Sequence, residues 1–94
     1  MENSATFVKN SFHTVTGKAF LLQSEGKHYA RLEDFYTDNG PDLYVYLVKN
    51  NTGKPQNSEE FVSLGRLKAT KGNQNYEIPT GTDLSQIQSI TIWC

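Results

Sequence analysis

No long window of this chain repeats its apolar residues at helical spacing, and that absence constrains the fold more than any other feature. Short runs rich in Val, Ile, Thr, Tyr and Phe lie instead between explicit turn clusters. The runs predict strands at Phe12–Leu22, His28–Glu33, Leu43–Val48, Phe61–Leu64, Arg66–Thr70, Tyr76–Ile78 and Ser89–Trp93. Between them stand SEGK (24–27), DNGPD (38–42), NNTGKPQN (50–57), KGN (71–73) and TGTD (80–83), each supplying Gly, Asn, Asp or Pro where a chain reverses. The piece TDLSQI (82–87) has room for one helical turn, capped by Thr82 or Asp83. Many short strands with frequent turns predict an all-β fold, a small antiparallel β-sandwich or barrel-like domain.

Strand alternation assigns the faces. Val15, Gly17, Ala19 and Leu21 share one side of the first long strand, and His13 is in phase with them. Leu43, Val45 and Leu47 share a side, while Tyr44 and Tyr46 share the other. Ile90 and Ile92 share a side, and Cys94 follows in their phase, which predicts a small buried hydrophobe. A slip of one residue would turn each of these rows to solvent, so the core side is well specified. Pro41, with no N–H, suits the start of a strand. Asp42 beside it reads as a turn cap accepting free backbone N–H groups. Tyr44 and Tyr46 read as sheet packing with wet hydroxyl tips.

Ninety-four residues make one domain, residues 1–94. A domain of this length buries only about two-thirds of its unfolded surface, so the core is small. The net charge is −1, without the basic field that nucleic-acid binding usually shows. Arg66, Lys68 and Lys71 are the nearest approach to a basic patch and read as solvent cover around a turn. No apolar run approaches the ~20 residues that span a bilayer. The opening MENSATFVKN carries no apolar signal core.

Reactive side chains are few. One cysteine excludes an internal disulfide and Cys-rich zinc sites. There is no nucleophile elbow, phosphate-binding glycine loop or H-E-x-x-H. A Cys–His pair could form from Cys94 with His13 or His28, but no spacing brings them together. Two histidines and one cysteine match the count of a blue-copper site, yet nothing follows Cys94 to supply a further His or an axial Met, and the sole methionine is Met1. The carboxylates Glu33, Asp34, Asp38, Asp42, Glu59, Glu60, Glu77 and Asp83 are scattered near turns, and a hydrolase would need two of them to converge in a cleft. His13 on an apolar face reads as a hydrogen-bonded core histidine. His28, just after a hairpin turn, reads as exposed.

Four stretches, HTVTGKAFLL (13–22), LEDFYTDNGPDLYVYL (32–47), FVSLGRLKATKGNQNYEIP (61–79) and IQSITIWC (87–94), resemble the DM13 domain family in order and spacing over most of the chain. The resemblance implies a small extracytoplasmic β domain. Such domains accompany cuticle, matrix and monooxygenase-like domains in animals, and occur in exported or lipid-anchored proteins in bacteria. It implies a redox or electron-transfer role centred on Cys94, acting as a bare thiol or holding a prosthetic group such as haem, although no C-x-x-C-H attachment motif is present. His13, Asp42 and Trp93 are the supporting candidates. Asn73, Gln74, Asn75 and Tyr76 also match the family motifs and read as structural, amides tying loops together by local backbone hydrogen bonds. Family members usually continue past Trp-Cys for another strand, so the expectation is a domain lacking that C-terminal strand, with an edge open to another chain. The expected partner is a protein or a cell-surface or matrix component, with dimerisation through the edge strand or Cys94. The competing reading is a non-catalytic extracellular binding or matrix-interaction module in which Cys94 is only core packing.

Overall fold

The structure, a computed structural model, describes residues 2–5 and 15–94. His13 lies outside these residues. The described chain is all-β: β1 (Glu2–Ala5), β2 (Val15–Ser24), β3 (Lys27–Thr37), β4 (Tyr44–Val48), β5 (Phe61–Arg66), β6 (Gln74–Glu77) and β7 (Ser89–Trp93), with one 3₁₀ turn at Leu84–Gln86. Two antiparallel sheets form, a four-stranded one in the order β1-β2-β3-β6 and a three-stranded one in the order β5-β4-β7. Among the described residues no helix is long and apolar enough to cross a membrane.

The predicted alternation builds the core. Ala19 and Leu21 of β2, Ala30, Leu32 and Phe35 of β3, and Tyr76 of β6 come from one sheet; Val45 and Leu47 of β4 and Ile90 and Ile92 of β7 come from the other. They join in a single cluster, as the facing layers of a sandwich do. Each fully buried Leu or Ile contributes roughly 1.5–3 kcal/mol relative to exposure.

Strand boundaries differ from the sequence expectation at several places, most clearly in β3 and β5. β3 runs on to Thr37 rather than stopping at Glu33. Its buried residues are even-numbered at Ala30 and Leu32 but odd-numbered at Phe35 and Thr37. The switch occurs at Asp34, where φ is 51° and the register against β2 shifts between Thr16 and Lys18. A β-bulge inserts one extra residue and so reverses the phase, which hides the strand's continuation from a period-two reading. The expected strands Phe61–Leu64 and Arg66–Thr70 are one strand, Phe61–Arg66, with a second register shift opposite Val45. Residues 67–70 leave the sheet. Their backbone bonds go to Leu43 O (from Leu67 N–H, 2.9 Å), to Tyr76 Oη (from Lys68 N–H, 2.9 Å) and from Thr37 N–H to Thr70 O (2.9 Å). This segment therefore carries the chain from one sheet to the other. β1 was not expected at all; it pairs with Ala19–Leu22 of β2.

Residues 49–60 lap back over the outer face of the three-stranded sheet. Ser89 Oγ donates to Asn50 O (2.7 Å) and Thr91 Oγ donates to Gly53 O (2.9 Å), which lets both β7 hydroxyls be buried on the side opposite Ile90 and Ile92. Asn50 organises the lap: its Nδ2 donates to Lys54 O (3.0 Å) and Glu60 Oε1 (3.1 Å), and its Oδ1 accepts from Thr52 N–H (2.9 Å). Of the two candidate caps for the helical turn, Asp83 is the one used, accepting from Ser85 N–H (3.1 Å) and Ser85 Oγ (2.6 Å).

Candidate functional site

Because Val45 and Leu47 face the core, Tyr44 and Tyr46 must face outward on β4, and by the same alternation Trp93 faces outward on β7. β4 is the central strand, so Tyr46 has β5 on one flank and β7 on the other. Its ring stacks on Phe61 at a centroid distance of 4.3 Å and an interplanar angle of 19°. It stacks on Trp93 at 5.9 Å and 14°. Tyr44 stands 6.5 Å from Tyr46 at a tilt of 40°. Phe61, Tyr46 and Trp93 thus form a row of near-parallel rings, all half-buried. Cross-strand aromatic pairs of this kind contribute about 0.5–1.5 kcal/mol each beyond the area they bury.

Polar groups close one end of this face. The Arg66 guanidinium lies 5.2 Å from the Tyr44 ring centroid, and its Nη1 is 2.7 Å from Asp42 Oδ1. Asp42 was expected to cap its turn; its carboxylate reaches instead to Arg66 across the β4–β5 edge. Both partners are largely exposed, so the pair is worth little as stability. Its effect is to hold a cation over Tyr44.

Cys94 follows Trp93 directly, past the end of β7, and is exposed with a free thiol. The expectation that it continues the buried row of Ile90 and Ile92 is therefore corrected. The strand ends at Trp93, so the alternation that buries the isoleucines no longer governs the next residue. Of the supporting candidates, Trp93 and Asp42 both lie at the outer face of the three-stranded sheet, while His13 lies outside the described residues.

The remaining candidates separate. His28, expected to be exposed, is half-buried and lines a cleft of about 180 Å³ with Lys27, Glu77 and Thr82. Lys27 and Glu77 pair there at 3.8 Å. Arg66 and Lys68, two of the three basic residues around the turn, are each already engaged. Arg66 is held by Asp42, and the Lys68 ammonium donates to Asn75 O while lying 4.8 Å from the Tyr76 ring centroid. A second cleft, about 210 Å³, is bordered by Pro41, Arg66 and Lys68. Among the described residues no group of three His, Cys, Asp or Glu converges as a metal site.

The side chains of the GNQNY stretch tie neighbouring segments together by hydrogen bonds. Asn73 Oδ1 accepts from Asp34 N–H (2.9 Å), satisfying the donor at the β3 bulge. Gln74 Nε2 donates to Ala69 O (2.8 Å), and Gln74 Oε1 accepts from the Tyr76 hydroxyl. Asn75 Oδ1 accepts from Arg31 Nη1 (3.1 Å). Burial pushes the Tyr76 phenol above its ordinary value, with the Lys68 N–H bond acting in the opposite direction.

The sequence assigned Tyr44 and Tyr46 to one face but did not join them to Phe61 and Trp93. That junction depends on register between three strands far apart in the chain. The only trace in the sequence was phase, Trp93 lying opposite to Ile90 and Ile92 just as Tyr46 lies opposite to Val45 and Leu47.

A family model described as "Electron transfer DM13" matches residues 6–94. No curated protein and no solved structure matches the chain.

Proposed function

This chain belongs to the DM13 family, and on that premise we propose that it is a redox or electron-transfer accessory domain of an exported or cell-surface protein, with Cys94 at its centre. The observation that carries the reading is the position of the thiol: exposed, free and next in sequence to Trp93, the end ring of the stacked row on the outer face. An exposed thiol can meet an oxidant or a partner disulfide; a buried one cannot. Its chemistry as a bare thiol is thiol–disulfide exchange with a partner or reversible oxidation to a sulfenate. In exchange, the Cys94 sulfur attacks one sulfur of the partner's disulfide, a mixed disulfide forms, and the other partner sulfur leaves as a thiolate that takes up the proton Cys94 gave up. An extracytoplasmic setting suits this chemistry, because disulfides persist there.

Cys94 is exposed, and neither of the two clefts described above is bordered by it, so the bare thiol is the form proposed.

The test is an absorption spectrum and intact mass of the natively purified protein, before and after reductant and thiol alkylation. A reductant-sensitive adduct on Cys94, or a native-state thiol that alkylates at once, is the expected result. A colourless protein of unmodified mass whose thiol alkylates only after unfolding would remove Cys94 as a redox centre. The outer face of the three-stranded sheet would then be screened for a matrix or protein ligand.

A further inference from the structure

The stacked row has a consequence that concerns the route of the electron rather than the thiol. We propose that Trp93 and Tyr46 form a one-electron relay across the three-stranded sheet, with Tyr46 as its terminus; the proposal rests on the electron-transfer reading above.

Three observations carry it. Trp and Tyr are the side chains whose rings give up one electron most readily, and here one of each is stacked at 14° with centroids 5.9 Å apart, bridging β7 to β4. Phe61 covers Tyr46 from the β5 side at 4.3 Å. Phenylalanine is too hard to oxidise to carry the charge further, so it acts as insulation and as a brace that fixes the Tyr46 ring. Tyr44 is the one other tyrosine beside the row, but the Arg66 guanidinium lies 5.2 Å from its centroid. Among the described residues the guanidinium, paired with Asp42 at 2.7 Å, stands nearer the Tyr44 ring than any charge stands to Tyr46 in the stack, and a cation above a ring disfavours removal of an electron from it. The same cation therefore stops the hole at Tyr46 and sets the direction of the row.

A one-electron oxidant, of the radical or high-potential metal class, takes one electron from the Trp93 indole, whose N–H proton passes to water. Tyr46 then gives one electron to the indolyl radical. The Tyr46 phenolic proton passes to water, and the indole nitrogen regains a proton from water. The net change is one electron and one proton lost from Tyr46 and one electron gained by the oxidant.

The sequence contains a single tryptophan, which makes the test clean. The azide radical, generated by pulse radiolysis, oxidises the indole of the Cys94→Ser chain, a background in which no thiol competes. The expected result is decay of the indolyl absorption matched by growth of a phenoxyl absorption, at a rate independent of protein concentration. Tyr46→Phe, which removes only the hydroxyl and keeps the stacked ring, abolishes this phase. Tyr44→Phe retains it. A decay that scales with protein concentration, or one that persists in Tyr46→Phe, overturns the relay. Loss of the phase in Tyr44→Phe with retention in Tyr46→Phe overturns the assignment of the terminus. Because the measurement is made without Cys94, a positive result leaves the thiol reading to stand or fall on the mass and alkylation experiment.

Discussion

Gly17 sits directly against the bulge at Asp34. A Cβ at Gly17 would lie 2.7 Å from Asp34 O and 2.7 Å from Glu33 O, and the Gly17 φ of 112° belongs to a region that L-residues rarely adopt. The close approach is what lets β2 pair on both sides of the bulge, with Thr16 opposite Tyr36 and Lys18 opposite Glu33. Both obstructing atoms are backbone, so the strands themselves would have to part. Gly17→Ala is expected to cost about 2–3 kcal/mol from overpacking and backbone strain together. Urea denaturation monitored by Trp93 fluorescence checks this; a loss below ~0.5 kcal/mol would mean the bulge relaxes freely.

The other side of the same bulge depends on Asn73. Its Oδ1 takes the Asp34 N–H, which the bulge withdraws from the ladder. Asn73→Ala leaves that donor to water, because the site is exposed, and is expected to cost about 1 kcal/mol. Asn73→Asp keeps the acceptor and should recover most of the loss. Hydrogen exchange at the Asp34 amide gives a local readout: protection falls in Asn73→Ala and returns in Asn73→Asp.

Tyr76 makes stability depend on alkaline pH. Burial holds its phenol above the ordinary 10.0, so the folded state keeps a proton that the unfolded chain releases. The associated stability is fully present below pH 10.0 and is lost as the pH rises through the raised folded value. Tyr76→Phe removes this alkaline decline. It also leaves the Lys68 N–H and Gln74 Oε1 without their shared partner, for an expected cost of about 1–3 kcal/mol near neutral pH. Denaturation midpoints of both proteins across the alkaline range would show a flatter profile for the variant from a lower starting point. Parallel profiles would remove Tyr76 as the titrating group.

What the sequence made legible follows from what is local. Alternation alone put Val45, Leu47, Ile90 and Ile92 in the core and Tyr44 and Tyr46 outside it, because period two needs no knowledge of partners. It failed where one residue broke the period, as at Asp34. It failed again where backbone bonds left the sheet for a side chain, as Lys68 N–H does in reaching Tyr76. The Phe61–Tyr46–Trp93 row was out of reach for a different reason. The outward phase of Tyr46 could be read, but its contact with Phe61 and Trp93 is fixed by pairing of β4 with both β5 and β7, a long-range register that no single strand encodes. Cys94 was misplaced by extending β7's alternation one residue past its last ladder pair, Tyr44 with Trp93.

That displacement gives the most direct prediction. A cysteine packed in phase with Ile90 and Ile92 would resist alkylation until the domain unfolds, and its replacement would open a small cavity. An exposed Cys94 does neither. Cys94→Ser is expected to change stability by less than ~0.5 kcal/mol, the range of ordinary surface substitutions. In the native wild-type protein the thiol should react with a maleimide as fast as an unfolded control. Under mild oxidation the wild type should also run partly as a disulfide-linked dimer on non-reducing gels, formed as two Cys94 thiols lose two electrons and two protons to the oxidant. The dimer should vanish with dithiothreitol and be absent from Cys94→Ser. Slow native alkylation together with a loss of 1 kcal/mol or more in Cys94→Ser would return the residue to the core. The thiol-centred function would then have no accessible sulfur to act through.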